Sequence, residues 1–288
     1  MTAKLKNALA NVVFGTSSIF VRAVPLGSAE IAFFRSFIAS VFLMVCRAAK
    51  HEPLMSAHIK KRLPLLFLTG AGIGAEWVLV FEAYRYTTVS IATLTYYFAP
   101  VLITALCPLL FHERLTLRQG VCFFFATVGL VLVTKIDKNA PEGTSYGILL
   151  SLAAALLYAF IVITNKFITD VAGVDRTLYQ FIAASVVILP YVLFNGGFGF
   201  FRAGIPAFLC LMTLGVLHSG VCYAVYFSTM PSLKGVELAL LGYIDPLVSV
   251  LVSLFVFGEP MTALQLAGGC MILGFTLLAE LTSAKAHS

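Results

Sequence analysis

Apolar stretches of about twenty residues, separated by short gaps that collect charge, proline and glycine, recur along the whole chain. A helix rises about 1.5 Å per residue and roughly 30 Å of hydrocarbon must be crossed, so runs of this length read as membrane spans. The pattern predicts ten helices, over 6–22, 28–47, 63–84, 89–111, 117–134, 145–165, 178–194, 206–228, 236–257 and 262–281. The seventh has the weakest signal, because Pro190 shortens the run and a glycine-rich break from Asn195 to Gly199 follows it. The expected fold class is all-α integral membrane.

The longest polar break that divides these spans evenly is Lys135 to Thr144. Residues 1–135 and 145–288 therefore read as two five-helix units, joined by a linker over 136–144. The units repeat. A shift of 146 positions lays Trp77 on Tyr223, Phe81 on Phe227, Tyr97 on Tyr243, Pro100 on Pro246, Phe111 on Phe257, Glu113 on Glu259, Thr116 on Thr262 and Gln119 on Gln265. At a register two residues shorter, Arg22 falls on Lys166. Five is odd, so the second copy must enter the membrane from the opposite side, giving inverted topology. Inverted repeats of this kind place a substrate site between the halves near the bilayer midplane; duplication in a structural or lipid-facing protein would leave the same register. Pairing with a later helix also keeps the first run as a span, although Lys4 and Lys6 precede it as they would in a signal peptide.

Composition agrees with this organisation, with 60% hydrophobic and 11% charged residues. The net charge of +6 sits in the gaps and reads as a topology signal, so no nucleic-acid partner is expected. With the N-terminus inside, thirteen Lys and Arg fall in cytoplasmic segments and five in external loops, and only Arg35 lies within a span. Both termini are therefore expected in the cytoplasm, with the chain spanning the cell membrane. The six cysteines lie inside apolar runs without CxxC spacing and read as packing residues.

Ala83-Tyr84-Arg85-Tyr86-Thr87-Thr88, Tyr97-Phe98-Ala99-Pro100 and Glu113-Arg114-Leu115-Thr116, with Asp245-Pro246-Leu247 and Gly258-Glu259-Pro260-Met261-Thr262 in the second copy, carry a resemblance. The chain resembles the drug/metabolite transporter superfamily, specifically its EamA-type members, over nearly its whole length. That resemblance implies ten helices in two inverted repeats, alternating access, and efflux of amino acids or related metabolites. The chain departs from the family pattern at Glu76, where an Asn would precede the third-helix Trp.

Charged residues inside spans are expensive and face protein or water. Arg35 and Glu76 both lie about 11 Å below the outer boundary at 1.5 Å per residue, and are expected to form an ion pair serving either as structure or as a gate or proton-coupled switch. Glu82 is shallower and is expected to meet water or Arg85. Asp245 lies mid-span before Pro246, which frees the Gly242 carbonyl as Pro100 frees that of Tyr96. Two spans broken at corresponding positions point to a central site, where Asp245 would bind a substrate ammonium, take up a proton, or cap the freed backbone. Trp77, Phe81 and Tyr84 form a stripe that Tyr223, Phe227 and Met230 repeat, as either packing or cavity walls. Tyr97, Tyr243, Asn11, Tyr158 and His218 are further wall candidates, His218 also reading as a hydrogen-bonded core residue.

Glu113 and Glu259 are expected to satisfy N-terminal donors of the helices that follow them. Gly70-Ala71-Gly72-Ile73-Gly74 lies in a span and reads as a helix-packing surface. No phosphate loop, HExxH or GxSxG motif occurs, so neither ATP, a cofactor nor a metal is expected. The sequence thus points to a secondary transporter of small organic solutes, with protons as a further partner. An integral-membrane enzyme, or a receptor or assembly subunit that binds without turnover, are the other classes compatible with such a body.

Overall fold

A computed structural model describes residues 1–51, 55–111, 117–134, 142–195 and 198–286. Every regular element among them is helical. The first half comprises α1 (Ala3–Gly15), α2 (Ser17–Ala23), α3 (Ser28–Ala49), α4 (Ala57–Tyr86), α5 (Val89–Tyr96), α6 (Ala99–Phe111) and α7 (Leu117–Val133). The second comprises α8 (Thr144–Asn165), α9 (Gly173–Phe194), α10 (Gly204–Met212), a π-helical stretch over Thr213–Val221, α11 (Cys222–Thr229), α12 (Gly235–Gly242), α13 (Ile244–Phe255) and α14 (Ala263–Ala286).

Five helical stretches, Ser28–Ala49, Ala57–Tyr86, Thr144–Asn165, Gly173–Phe194 and Gly204–Ser232, are each long and apolar enough to cross a membrane, and shorter apolar helices accompany them. Large apolar side chains such as Val45, Phe124, Leu149, Phe194 and Phe255 face outward. On a soluble protein that belt would be an aggregation surface, whereas in lipid it is the solvated face.

Two expectations about the spans are corrected. The seventh is not short, since α9 starts at Gly173 and continues through Pro190 to Phe194. Pro190 lies within about a turn of the helix end, so its missing N–H removes a single bond, to Val186. The eighth is not a regular helix, because its central nine residues form the π-helical stretch. Glycines there meet α3 so closely that a Cβ at Gly215 would lie 2.5 Å from Ile38 Cβ.

Small residues also set the packing of α4. A Cβ at Gly70 would sit 2.4 Å from the Gln180 carbonyl oxygen, and one at Gly74 would lie 2.9 Å from Ile188. The Gly70–Gly74 stretch is thus the contact surface for α9. Elsewhere α7 pairs with α14, α3 packs on α9 and the π-helical stretch, and α1 lies against α11 and α13.

Ion pairs tie helix ends at both ends of the bundle. At the end where α1 begins, Lys4 pairs with Glu237, Arg47 with Asp175 and Arg62 with Asp170. At the opposite end Arg22 Nη1 pairs with Glu259 at 2.5 Å, while Arg22 Nη2 donates to the carbonyls of Tyr84 (2.8 Å) and Thr87 (3.1 Å). Glu82, as expected, meets Arg85 at 3.5 Å, and also accepts from Ser28.

The role expected of Glu259 is corrected. It does not cap α14, whose entry is closed by Thr262 N–H donating to Gln265 Oε1 and Gln265 N–H donating to Thr262 Oγ1. Glu259 turns back instead, accepting from Val89 N–H at the start of α5 (2.9 Å) and from Ser253 Oγ. The left-handed Gly258 (φ 64°) permits that reversal, placing the carboxylate at the positive end of α5 rather than of α14. Glu113 lies outside the described residues.

Candidate functional site

The proline-bearing spans divide where the missing N–H groups predict. Ahead of Pro100, α5 ends at Tyr96, with Tyr97 N–H donating to Thr93 O (2.8 Å) and Phe98 N–H to Thr95 O (3.2 Å). Ahead of Pro246, α12 ends at Gly242 and α13 resumes at Ile244. A third interruption, between α1 and α2, faces this second one. A Cβ at Gly15 would lie 2.6 Å from the Asp245 carbonyl oxygen, and Ser249 Oγ donates to Gly15 O at 3.1 Å.

These breaks position two carboxylates. Asp245 occupies the first turn of α13, where the helix dipole favours an anion, and accepts from Tyr97 Oη at 2.8 Å. Glu76, from α4, accepts from the adjacent Tyr96 Oη at 2.7 Å. One helix break in the first half therefore supplies both phenols, whose rings meet edge to face at 5.6 Å.

The expected Arg35–Glu76 ion pair does not form. Arg35 Nε donates to Ser219 Oγ at 2.7 Å, and its guanidinium lies 4.1 Å from the Trp77 ring centre and 5.7 Å from that of Phe81. Trp77 and Phe81 share the α4 face toward α3, whereas Glu76, one residue earlier, is turned about 100° away toward Tyr96. Similar depth brought the two charges to one level, and helix rotation separated them.

Both carboxylates and Arg35 line a cavity of about 740 Å³. Trp77, Phe81, Tyr97, Tyr158, Tyr223, Phe227, Tyr243, Asn11 and Pro100 also lie in its wall, with Tyr84 and Met230. One wall candidate, His218, does not. His218 is fully buried, with Nε2 3.2 Å from Thr16 Oγ1 and Nδ1 3.2 Å from Thr213 O, linking the α1–α2 break to the π-helical stretch. Pro246 is buried in α13 and acts on the cavity only by breaking the helix.

The sequence reading missed Phe14, Tyr96, Arg176, Gln180, Phe181 and Tyr226, all in the wall. The repeat held a usable signal for two of them, since moving Arg35 forward by 145 or 146 positions reaches Gln180 or Phe181. Arg176 precedes the span expected over 178–194, but α9 starts early enough to bring it over the Phe227 ring at 5.6 Å.

Asn165, Arg176, Met230 and Leu238 bring the cavity to the end of the bundle where α9 and α12 begin. Toward the other end the wall stops short of Arg22 and Glu259, whose network joins α2, the α4–α5 junction and the segment after α13. Among the described residues no group of three or more His, Cys, Asp or Glu could hold a metal.

A multi-helix membrane body with a central cavity lined by charged, phenolic and aromatic side chains fits a membrane transport protein, and comparison with known proteins shows the family. The EamA-like transporter family matches residues 5–135 and again 145–280, and the chain belongs to that family. It is 25% identical to an uncharacterized transporter, YxxF, of Bacillus subtilis (strain 168), across 94% of this chain and 87% of that one. It is 26% identical to a "probable terminal-alkyne amino-acid exporter" of Streptantibioticus cattleyicolor, across 90% and 86% of the two chains. One solved crystal structure shares the fold, with a TM-score of 0.68 over 98% of each chain at 18% identity. The protein is a multi-pass membrane transporter and not an enzyme.

Proposed function

We propose that this protein is a secondary transporter that exports amino acids or related small metabolites, alternating access to its central cavity between the two faces of the membrane. The observation that carries the reading is the pair of carboxylates, Asp245 and Glu76, held by Tyr97 and Tyr96 in a cavity that reaches the end of the bundle where α9 and α12 begin and stops short of the Arg22–Glu259 pair toward the other. Ten spans in two inverted five-helix repeats, with both termini cytoplasmic, put the end that the cavity reaches on the cytoplasmic side, where substrate for export would load. Asp245 binds a substrate ammonium or takes up a proton during the cycle, and the aromatic walls receive the substrate's apolar part. The name of the Streptantibioticus relative supports an amino-acid substrate, and the absence of a phosphate loop supports coupling to a gradient or exchange.

Counterflow in proteoliposomes loaded with single amino acids, run with and without a pH gradient, tests the proposal. Accumulation of label for at least one amino acid, abolished or altered in pH dependence by Asp245→Asn, is the expected outcome. Binding without accumulation would mark a receptor instead.

A further inference from the structure

Arg35 is a buried cation that the protein leaves chemically incomplete. Its residue is 6% exposed and its Nε is taken by Ser219. Its terminal Nη nitrogens have neither a hydrogen bond nor an ion pair to any described residue, and they are not among the polar atoms sealed from solvent. The guanidinium carbon lies over the Trp77 ring. That contact uses no hydrogen-bond donor, so the Nη groups remain available to a ligand in the cavity that Arg35 lines. A guanidinium edge matches the two oxygens of a carboxylate, forming parallel charge-assisted hydrogen bonds. Glu76, the nearest carboxylate along α4, is turned to Tyr96 and does not fill this position.

Resting on the transport reading above, we infer that Arg35 is the receptor for the substrate's carboxylate and that Asp245, in the same cavity wall, takes its ammonium, so that the site selects zwitterions. Burial gives this selection its strength. A largely buried cation that no carboxylate pairs directly gains most from a ligand that supplies one, and an analogue lacking the carboxylate leaves the donors without that partner. The aromatic wall then accommodates the side chain, so the two charged ends, not the apolar part, set the substrate class.

Trp77 is the only tryptophan of the chain and lies directly beneath Arg35, so its emission reports on this site alone. The test titrates the purified full-length protein with leucine and phenylalanine, with leucinamide, and with isopentylamine, following Trp77 fluorescence excited at a wavelength that phenylalanine does not absorb. Saturable changes with the amino acids, and binding weaker by about 100-fold or more for leucinamide and isopentylamine, are expected. Arg35→Lys keeps the charge but not the fork and should weaken amino-acid binding about 10-fold or more, without changing the weak isopentylamine response. Its elution and melting profiles verify that it folds.

Equal binding of leucine and leucinamide, or unchanged amino-acid binding by folded Arg35→Lys, would overturn the carboxylate assignment while leaving transport intact. No response to any amino acid, with no counterflow, would overturn the amino-acid reading and this inference with it.

Discussion

Removing Glu259 and removing the arginine it pairs with should destabilise the protein by similar amounts. Glu259 holds three donors: Arg22 Nη1, Val89 N–H and Ser253 Oγ. Arg22 in Glu259→Ala keeps the Tyr84 and Thr87 carbonyls, so its loss is one charge-assisted bond, about 1.5–3 kcal/mol before discounting for side-chain exposures of 27% and 14%. Val89 N–H, orphaned at the start of α5, adds about 1 kcal/mol, as a lost helix cap does. The sum is about 3 kcal/mol for Glu259→Ala. Arg22→Ala loses the same charge-assisted bond and the two donated to the Tyr84 and Thr87 carbonyls, while Glu259 still accepts from Val89 and Ser253, and should also cost about 3 kcal/mol.

At roughly 2–4 °C per kcal/mol, the melting temperature in detergent should fall by about 6–12 °C for either variant. The double variant should be less destabilised than the two singles added together, by about 1–2 kcal/mol. Strict additivity, or an unchanged melting temperature for Glu259→Ala, would refute the idea that this carboxylate organises this end of the bundle.

Gly70→Leu should lower the folded yield sharply, because its side chain would start 2.4 Å from the Gln180 backbone, and overpacking of this kind costs about 1–3 kcal/mol or more; size-exclusion of the solubilised protein reads the outcome. Tyr97→Phe removes the hydroxyl donated to Asp245 and should reduce transport about 10-fold or more while leaving the melting temperature within a few degrees, as counterflow and thermal unfolding would measure. Asp170 lies between α8 and α9. Desolvation pushes its pKa upward, but the Arg62 hydrogen bond, a bond within its own backbone and the nearby charges of Arg62 and His58 outweigh that and hold it below the ordinary carboxylate range. A depressed folded pKa stabilises above the unfolded value of about 3.9, and the benefit disappears as pH falls through the lower folded value. Asp170→Asn should therefore melt below wild type at pH 7, and the gap should shrink as the pH is taken below about 4.

Helical class and the positions of the broken spans were legible because they depend on local features, apolar length and the donor that proline lacks. Pro100 and Pro246 located the breaks, and the breaks lie beside the cavity. What the sequence obscured depends on rotation and long-range approach. Depth alone put Arg35 opposite Glu76, but a single residue's turn sent one to Trp77 and Ser219 and the other to Tyr96. Glu259 looked like a local cap because its partners, Arg22 and Val89, are far away in the chain and nearby only in the folded bundle. The π-helical stretch left no signal in hydropathy, since widening a turn changes which residues face α3 without changing how apolar they are. His218 was ambiguous for the same reason, and its neighbours Thr16 and Thr213 placed it in the core.

The central claim is that solute crosses through this cavity. In a cysteine-free background that still transports, a single Tyr226→Cys places a thiol in the wall, and counterflow of a transported amino acid is compared before and after complete labelling with a bulky maleimide. Flux that is lost on labelling, with substrate slowing the labelling reaction, is the predicted result. Flux that continues at its original rate through fully labelled protein would place the pathway elsewhere and contradict the account.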